Sequence, residues 1–289
     1  MAVSATPLRL TLPAPAKLNL FLHVTGRRSD GYHTLETLLV PIDYCDRITL
    51  APRDGPEIIR ARGPTNVAPD DDLAVRAARL LQRHCGVARG AMIDVEKHIP
   101  AGGGLGGGSS DAATVLLGLN HLWKLGLTRD ALMALALQLG ADVPFFVFGE
   151  AALARGIGEM LEGVSVPPTW FVVLTPPVQI ATATIFAAPE LTRQSPSAKI
   201  EVFSEAYGGN DLQAVAVSRF PELALCLEAL SRETGGRVAM SGSGSSVFAA
   251  FTEEDAAART LSRVARAGCG EGFVARALDR HPLQHFAAP

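Results

Sequence analysis

Pro100-Ala101-Gly102-Gly103-Gly104-Leu105-Gly106-Gly107-Gly108-Ser109-Ser110-Asp111-Ala112-Ala113 is the stretch on which the fold turns. It holds six glycines and two serine hydroxyls, then runs into residues that favour a helix. Glycine lets a backbone approach a ligand closely and takes φ > 0 without steric cost. A helix predicted over residues 111–120 starts just past Ser109 and Ser110. Its unpaired N–H groups and the positive end of its dipole suit an anion. The segment reads as a loop that closes on phosphate.

Better-known glycine loops fit it poorly. Gly102, Gly104 and Gly107 match G-x-G-x-x-G, but a dinucleotide fold wants a strand leading directly into the turn and an acid about 20 residues on. Here His98-Ile99-Pro100-Ala101 separate the apolar-alternating segment 91–97 from the glycines. The nearest acid, Asp130, lies in the capped start of a further helix, Thr128-Arg129-Asp130-Ala131-Leu132. No Gly-Lys-Ser/Thr follows, and the His-Arg-Asp and Asp-Phe-Gly signatures of protein kinases are missing. A mobile linker would be polar, not bracketed by strand and helix patterns.

A chain of 289 residues makes one large domain or two ordinary ones. Hydrophobic residues at 48% and charged residues at 19% supply a substantial core and exclude global disorder. The formal net charge of −3 offers no basic stripe for nucleic acid. Cys45, Cys85, Cys226 and Cys269 are scattered without metal-ligand spacing, as buried thiols of a reducing compartment would be. Pro7, Pro13 and Pro15 interrupt the N-terminus, and Pro167, Pro168, Pro176 and Pro177 break the longest uncharged segment, 163–189. Neither export nor membrane spanning is therefore expected, and the chain is predicted to be cytoplasmic.

Leu18-Asn19-Leu20-Phe21-Leu22-His23-Val24 alternates as a strand should. Strict alternation puts Lys17, Asn19, Phe21 and His23 on one face and Leu18, Leu20, Leu22 and Val24 on the other. Strands are also predicted over 34–41, 47–51, around Ile58, and over 145–148, 151–155, 170–174, 238–240, 247–251 and 273–277. Helices are predicted from Asp72 through Leu81, and over 111–125, 129–139, 182–186, 211–219, 221–231 and 253–267. Strands and helices mix without βαβ alternation, so the class is α+β. The proline-rich zone 164–168 marks the expected boundary between domains 1–165 and 166–289.

Three polar features do not match their surroundings. Asp142 sits in Leu139-Gly140-Ala141-Asp142-Val143-Pro144-Phe145-Phe146, and a carboxylate among such residues must be paired, hydrogen-bonded or neutral. Lys17 is embedded in Ala14-Pro15-Ala16-Lys17-Leu18. Alone, Asp142 suits a helix-terminal acid and Lys17 a strand-edge guard. With a phosphate loop they are the minimal parts of a phosphoryl transferase, the acid taking a hydroxyl proton and the ammonium offsetting charge. Tyr32-His33, after Arg27-Arg28-Ser29-Asp30-Gly31, either covers an apolar edge or stacks on a base.

Three separated segments resemble the galactokinase, homoserine kinase, mevalonate kinase and phosphomevalonate kinase (GHMP) family. They are Pro15-Ala16-Lys17-Leu18-Asn19-Leu20, the 100–113 loop (similar to Pro-x-x-x-Gly-Leu-Gly-Ser-Ser-Ala) and Ser241-Gly242-Ser243-Gly244-Ser245-Ser246. Further stretches, 27–33, 140–145 and Ile185-Phe186-Ala187-Ala188-Pro189-Glu190-Leu191, narrow the resemblance, which covers about 15–250.

The resemblance implies an ATP domain of the ribosomal-protein-S5-like type and a ferredoxin-like C-terminal substrate domain, with the site between them. It implies ATP as co-substrate, Mg²⁺ with no ligand assigned, and a small-molecule partner rather than nucleic acid or membrane. The implied reaction moves the γ-phosphoryl to the 2-hydroxyl of a cytidine diphosphate-linked methylerythritol, a step of non-mevalonate isoprenoid precursor synthesis. Asp142 would be general base and Lys17 its electrostatic partner. Asn19 and Thr182 would lie against the substrate; Tyr32, His33 and Phe186 would grip the cytosine. ATP would meet Pro100, Gly102, Gly103, Gly104, Leu105, Gly106, Gly107, Gly108, Ser109 and Ser110, with backbone N–H groups of 104–110 on the triphosphate and Lys97 near the adenosine. Asp111 and Asp72 depart from the family pattern, and a negative charge past a phosphate loop is unfavourable unless it points away or meets Mg²⁺. A homoserine or mevalonate kinase would leave Tyr32, His33 and Phe186 without a task. A nucleotide-binding regulator would have no need of both Lys17 and Asp142.

Overall fold

A computed structural model describes residues 9–196, 209–265 and 268–288. The first sheet is built from β1 (Leu10–Arg27), β2 (His33–Arg53), β3 (Ile58–Arg62), β4 (Gly90–Glu96), β5 (Ala152–Gly156) and β6 (Met160–Gly163). Its order is β3-β4-β2-β5-β6, with β1 paired along β2. The two strands expected over 34–41 and 47–51 are one strand of 21 residues. It pairs with β5 through residues 35–39 and with β4 through 47–53, so the turn-like residues between them are held by β1 instead of breaking the ladder.

β1 carries the most consequential irregularity. Its register against β2 slips between Asn19 and Phe21. One extra residue reverses which side chains share a face. Phe21 therefore packs with Leu18 and Leu20, while Leu22 and Val24 join a different core cluster. The single polar face of Lys17, Asn19, Phe21 and His23 expected from strict alternation is thus split, and Lys17 and Asn19 share a cleft wall with Leu22. Both faces are covered, with Lys17 and Asn19 as buried as their apolar neighbours.

Helices α1 (Leu73–Cys85), α2 (Gly107–Leu122), α3 (Arg129–Leu137) and α4 (Val143–Phe148) cover the first sheet. Asp72 caps α1 by accepting from Ala74 N at 2.9 Å, and it also pairs with Arg60 at 2.7 Å. These two bonds occupy the carboxylate that departs from the family pattern. α2 is apolar nearly all round and buried accordingly, with Gly118 leaving room for Leu12 and Leu50. Residues 145–148, expected as a strand, form α4. A short apolar run carries no period that tells helix from strand, and Pro144 in the first turn favours the helix.

The second sheet, in the order β10-β7-β9-β8, is antiparallel and comprises β7 (Trp170–Thr175), β8 (Ala239–Met240), β9 (Val247–Phe251) and β10 (Glu271–Arg276). With it pack α5 (Thr182–Phe186), α6 (Asp211–Arg219), α7 (Pro221–Thr234) and α8 (Glu254–Val264). The helix expected over 253–267 ends at Val264, and positions 266–267 lie outside the described residues. A third apolar cluster, with Leu18, Val40, Phe171 and Phe248, draws on both sheets. Residues beyond β10 return to the first sheet's helices. Arg129 N donates to Ala288 O at 2.9 Å, and Leu283 and Ala287 lie in the first core. Among the described residues no helix is long and apolar enough to cross a membrane.

Candidate active site

α2 begins at Gly107, four residues before the predicted start, because Gly106 adopts φ +73° and turns the chain into the helix early. Ser109 and Ser110 therefore lie in its first turn. No side chain caps this end. The first intrahelical bond runs from Ser110 N to Gly106 O at 2.9 Å, leaving the N–H groups of Gly107, Gly108 and Ser109 outside the ladder. Gly102–Gly108 and Ser109 line a cleft of about 500 Å³, whereas Ser110 is fully buried and does not.

The second glycine motif braces the first. Ser246 N donates to Gly103 O at 3.0 Å, Ser245 N to Gly102 O at 3.3 Å, and Ser241 Oγ to Gly104 O at 3.0 Å. Ser241 Oγ also accepts from Asn19 N at 3.2 Å, and Lys17 N donates to Leu105 O at 3.0 Å. β1, the loop and the 241–246 motif are thereby one fixed assembly. Gly106 passes so close to Phe146 and Lys17 that a Cβ would lie about 3 Å from both.

Lys17 and Asp142 meet across this cleft, Nζ to Oδ2 3.8 Å. Their burial is opposite in kind: the Lys17 side chain is 4% exposed and that of Asp142 is 46% exposed. The expectation that Asp142 is enclosed by its apolar neighbours is corrected here. It stands just before α4, whose phenylalanines turn inward while the carboxylate faces the cleft. Burial lowers the Lys17 ammonium below its ordinary value, and Asp142 opposes that shift. Lys17 Nζ donates to Asn19 Oδ1, Asn19 Nδ2 to Thr37 Oγ1 at 2.9 Å, and Thr37 Oγ1 to Phe21 O at 2.5 Å. This chain fixes the amide of Asn19 with its oxygen toward the ammonium.

Lys97 lines the cleft, but its Nζ is taken by Asp46 and by Asp111 Oδ2, the latter at 2.7 Å. Asp46 also accepts from His98 N at 2.5 Å and Ile99 N at 2.8 Å, fastening the lead-in to the glycine loop. Burial pushes Asp111 up to about 7, Lys97 opposing and the Asp46 carboxylate adding to the rise. Among the described residues, buried Asp111 Oδ1 has no hydrogen-bond partner.

Tyr32 and His33 line a neighbouring compartment of about 600 Å³ with Thr182 and Phe186, which also border the first cleft. Tyr32 is 62% exposed, and His33 stacks on Phe186 with centroids 5.1 Å apart and planes 27° from parallel. Thr182 Oγ1 lies 2.8 Å from Ser243 Oγ, tying α5 to the second glycine motif. Every candidate residue except Ser110 thus borders one of two joined compartments. Ser241 and Thr37 were not singled out from the sequence as site residues. Ser241 was discoverable through its glycine motif, whereas Thr37 carries no signal within its strand.

The family description "GHMP kinases N terminal domain" matches residues 72–150, and "GHMP kinases C terminal" matches 188–269. The chain is 54% identical over 274 residues to the 4-diphosphocytidyl-2-C-methyl-D-erythritol kinase of Thiobacillus denitrificans, covering 95% of this chain and 97% of the relative. It is 53% identical to the enzyme of that name from Nitrosospira multiformis, with 96% and 94% covered. A solved structure of 4-(cytidine 5'-diphospho)-2C-methyl-D-erythritol kinase superposes with a TM-score of 0.80 at 37% identity, covering 93% of this chain and 99% of that one.

Proposed function

This chain belongs to the GHMP kinases, and we infer that it is the member that phosphorylates 4-diphosphocytidyl-2-C-methyl-D-erythritol with ATP, in non-mevalonate isoprenoid precursor synthesis. One observation supports this most: Lys17, Asp142 and the uncapped first turn of α2 share a single cleft that opens beside an aromatic compartment. A triphosphate on the 102–109 backbone would direct its terminal phosphoryl toward a hydroxyl lying against Asp142. Asp142 would accept that hydroxyl's proton. Lys17 would offset the charge growing on the transferred group. Asn19 orients the ammonium. Tyr32, His33 and Phe186 would hold the cytosine, and Thr182 would lie between base and acceptor.

Mg²⁺ commonly keeps several waters and takes one or two carboxylates plus phosphate oxygens. Asp111, with an unpartnered oxygen next to the loop, fits that demand and would hold the ion. The ion would neutralise phosphate charge during transfer. We keep the division at residue 165 as one between the two sheets, with the segment around Leu283 and Ala287 returning to the first core and Tyr32 and His33 of the first part facing the substrate, and propose the cytoplasm as the location. Incubation with Mg-ATP and a panel of the cytidyl-methylerythritol, homoserine and mevalonate tests the reading. ADP is expected with the cytidine compound alone, and release with either of the others in its place would refute it.

A further inference from the structure

We propose that Arg193 is a positioning residue for the cytidine compartment, fixing His33 in one tautomer and clamping the segment after α5 against it. Arg193 does not itself line the phosphate cleft, and no sequence motif marks it. The proposal rests on the cytidine reading of the compartment above.

The geometry is unusually complete for a half-buried arginine. Nε donates to His33 Nε2 at 3.1 Å. One terminal nitrogen donates to Leu191 O at 3.1 Å and Pro189 O at 3.5 Å, the other to Ala188 O at 2.6 Å and Phe186 O at 3.2 Å. No carboxylate is among these partners. A guanidinium offers five N–H donors in a rigid fork and never loses its proton. Here that fork ends on one imidazole nitrogen and four carbonyls, the carbonyls belonging to the end of α5 and the turn beyond it.

Two consequences follow for the compartment. A nitrogen facing a permanent donor must accept, so His33 Nε2 carries no proton and Nδ1–H is the ring's one donor. Burial, then the charges of Arg193 and Arg27, hold the imidazole below its ordinary value and keep it neutral. The same guanidinium also grips the carbonyl of Phe186, on which His33 stacks. Two walls far apart in the chain, β2 at residue 33 and α5 at residue 186, are therefore registered to each other through Arg193. A base entering between Tyr32 and Phe186 would meet a surface already set, with little ordering left to do.

The experiment compares wild type, Arg193→Gln and Arg193→Lys, with circular dichroism confirming the fold of each. In Arg193→Gln the KM for the cytidine substrate and the Kd for CDP should rise about tenfold, the worth of one lost positioning hydrogen bond. The kcat and the KM for ATP should stay unchanged. The ¹⁵N resonances of His33 should move from a fixed Nδ1–H pattern to a mixture of tautomers. Arg193→Lys, keeping one donor, should fall between, and it carries the comparison should the glutamine variant not fold. An unchanged Kd for CDP, or an unchanged His33 ¹⁵N pattern, would overturn the proposal. Failure of the wild type to bind CDP would instead strike the substrate reading, with the His33 resonances still deciding what Arg193 does.

Discussion

A lysine with almost no exposed side chain, 3.8 Å from an aspartate that is nearly half exposed, divides two costs between two residues. The ammonium bears the desolvation and is held in place by Asn19. The carboxylate stays open to whatever enters the cleft. A general base needs that access, since it must come within hydrogen-bond reach of the proton it removes. Replacing Asp142 by Asn keeps the shape and removes the base. The kcat should fall roughly 10²–10⁴-fold while ATP binding is kept, which steady-state kinetics alongside nucleotide titration would check. At this scale the sequence was informative because isolated charges among apolar residues are conspicuous. It was misleading about which member of the pair is enclosed. Neighbours along the chain made Asp142 look buried, but the inward turn of α4 sends those neighbours one way and the carboxylate the other. Asn19 N to Ser241 Oγ spans 222 positions, and no local pattern announces such a bond.

Among elements, the two glycine motifs are functional only as a pair. A Cβ on Gly104 would fall on the Ser241 carbonyl oxygen, and its φ of +73° is strained for any other residue. Gly104→Ala should therefore part the motifs, destabilise the fold by about 1–3 kcal/mol in urea titration and weaken ATP binding. Loss of neither would mean that the bracing is dispensable. The existence of α1, α2, β7 and β9 was legible from periodicity and capping. Three features were not. The length of β2 depends on partners that bridge its turn-like centre. The slip in β1 adds no compositional mark, since Leu20 suits either face. α4 is too short and too uniformly apolar to show a period.

For the molecule as a whole, the segment 277–288 carries a burden that its composition does not suggest. Arg129 holds the carbonyls of Val147 and Gln284, Asn120 Nδ2 donates to Phe286 O at 3.0 Å, and His281 N donates to Gly149 O at 2.6 Å. His281 is buried, its Nδ1 accepting from Leu283 N at 3.1 Å. Burial, reinforced by the Arg129 charge, lowers it to about 3. Unfolded, it would titrate near its ordinary value of about 6.5. Between those values the unfolded chain binds the extra proton, so stability is full above the upper one and declines as the pH falls toward the lower. The contribution to the slope approaches about 1.4 kcal/mol per pH unit. His281→Asn keeps an acceptor for Leu283 and should flatten the acid side of a stability–pH curve measured by denaturant titration. An unaltered slope would show that another group governs it. The α+β class was legible from the order of strands and helices, whereas this return was not, because a short polar–apolar tail has no period to read.

That return also bears on how the protein is made. A nascent chain leaves the ribosome from its amino end, yet Leu283 and Ala287 complete a core whose other fully buried members, among the described residues, all precede residue 155. The half that would carry ATP must therefore wait, unfinished and with apolar surface uncovered, through the synthesis of more than a hundred further residues. Chaperones that shelter exposed apolar surface have their longest opportunity during that interval.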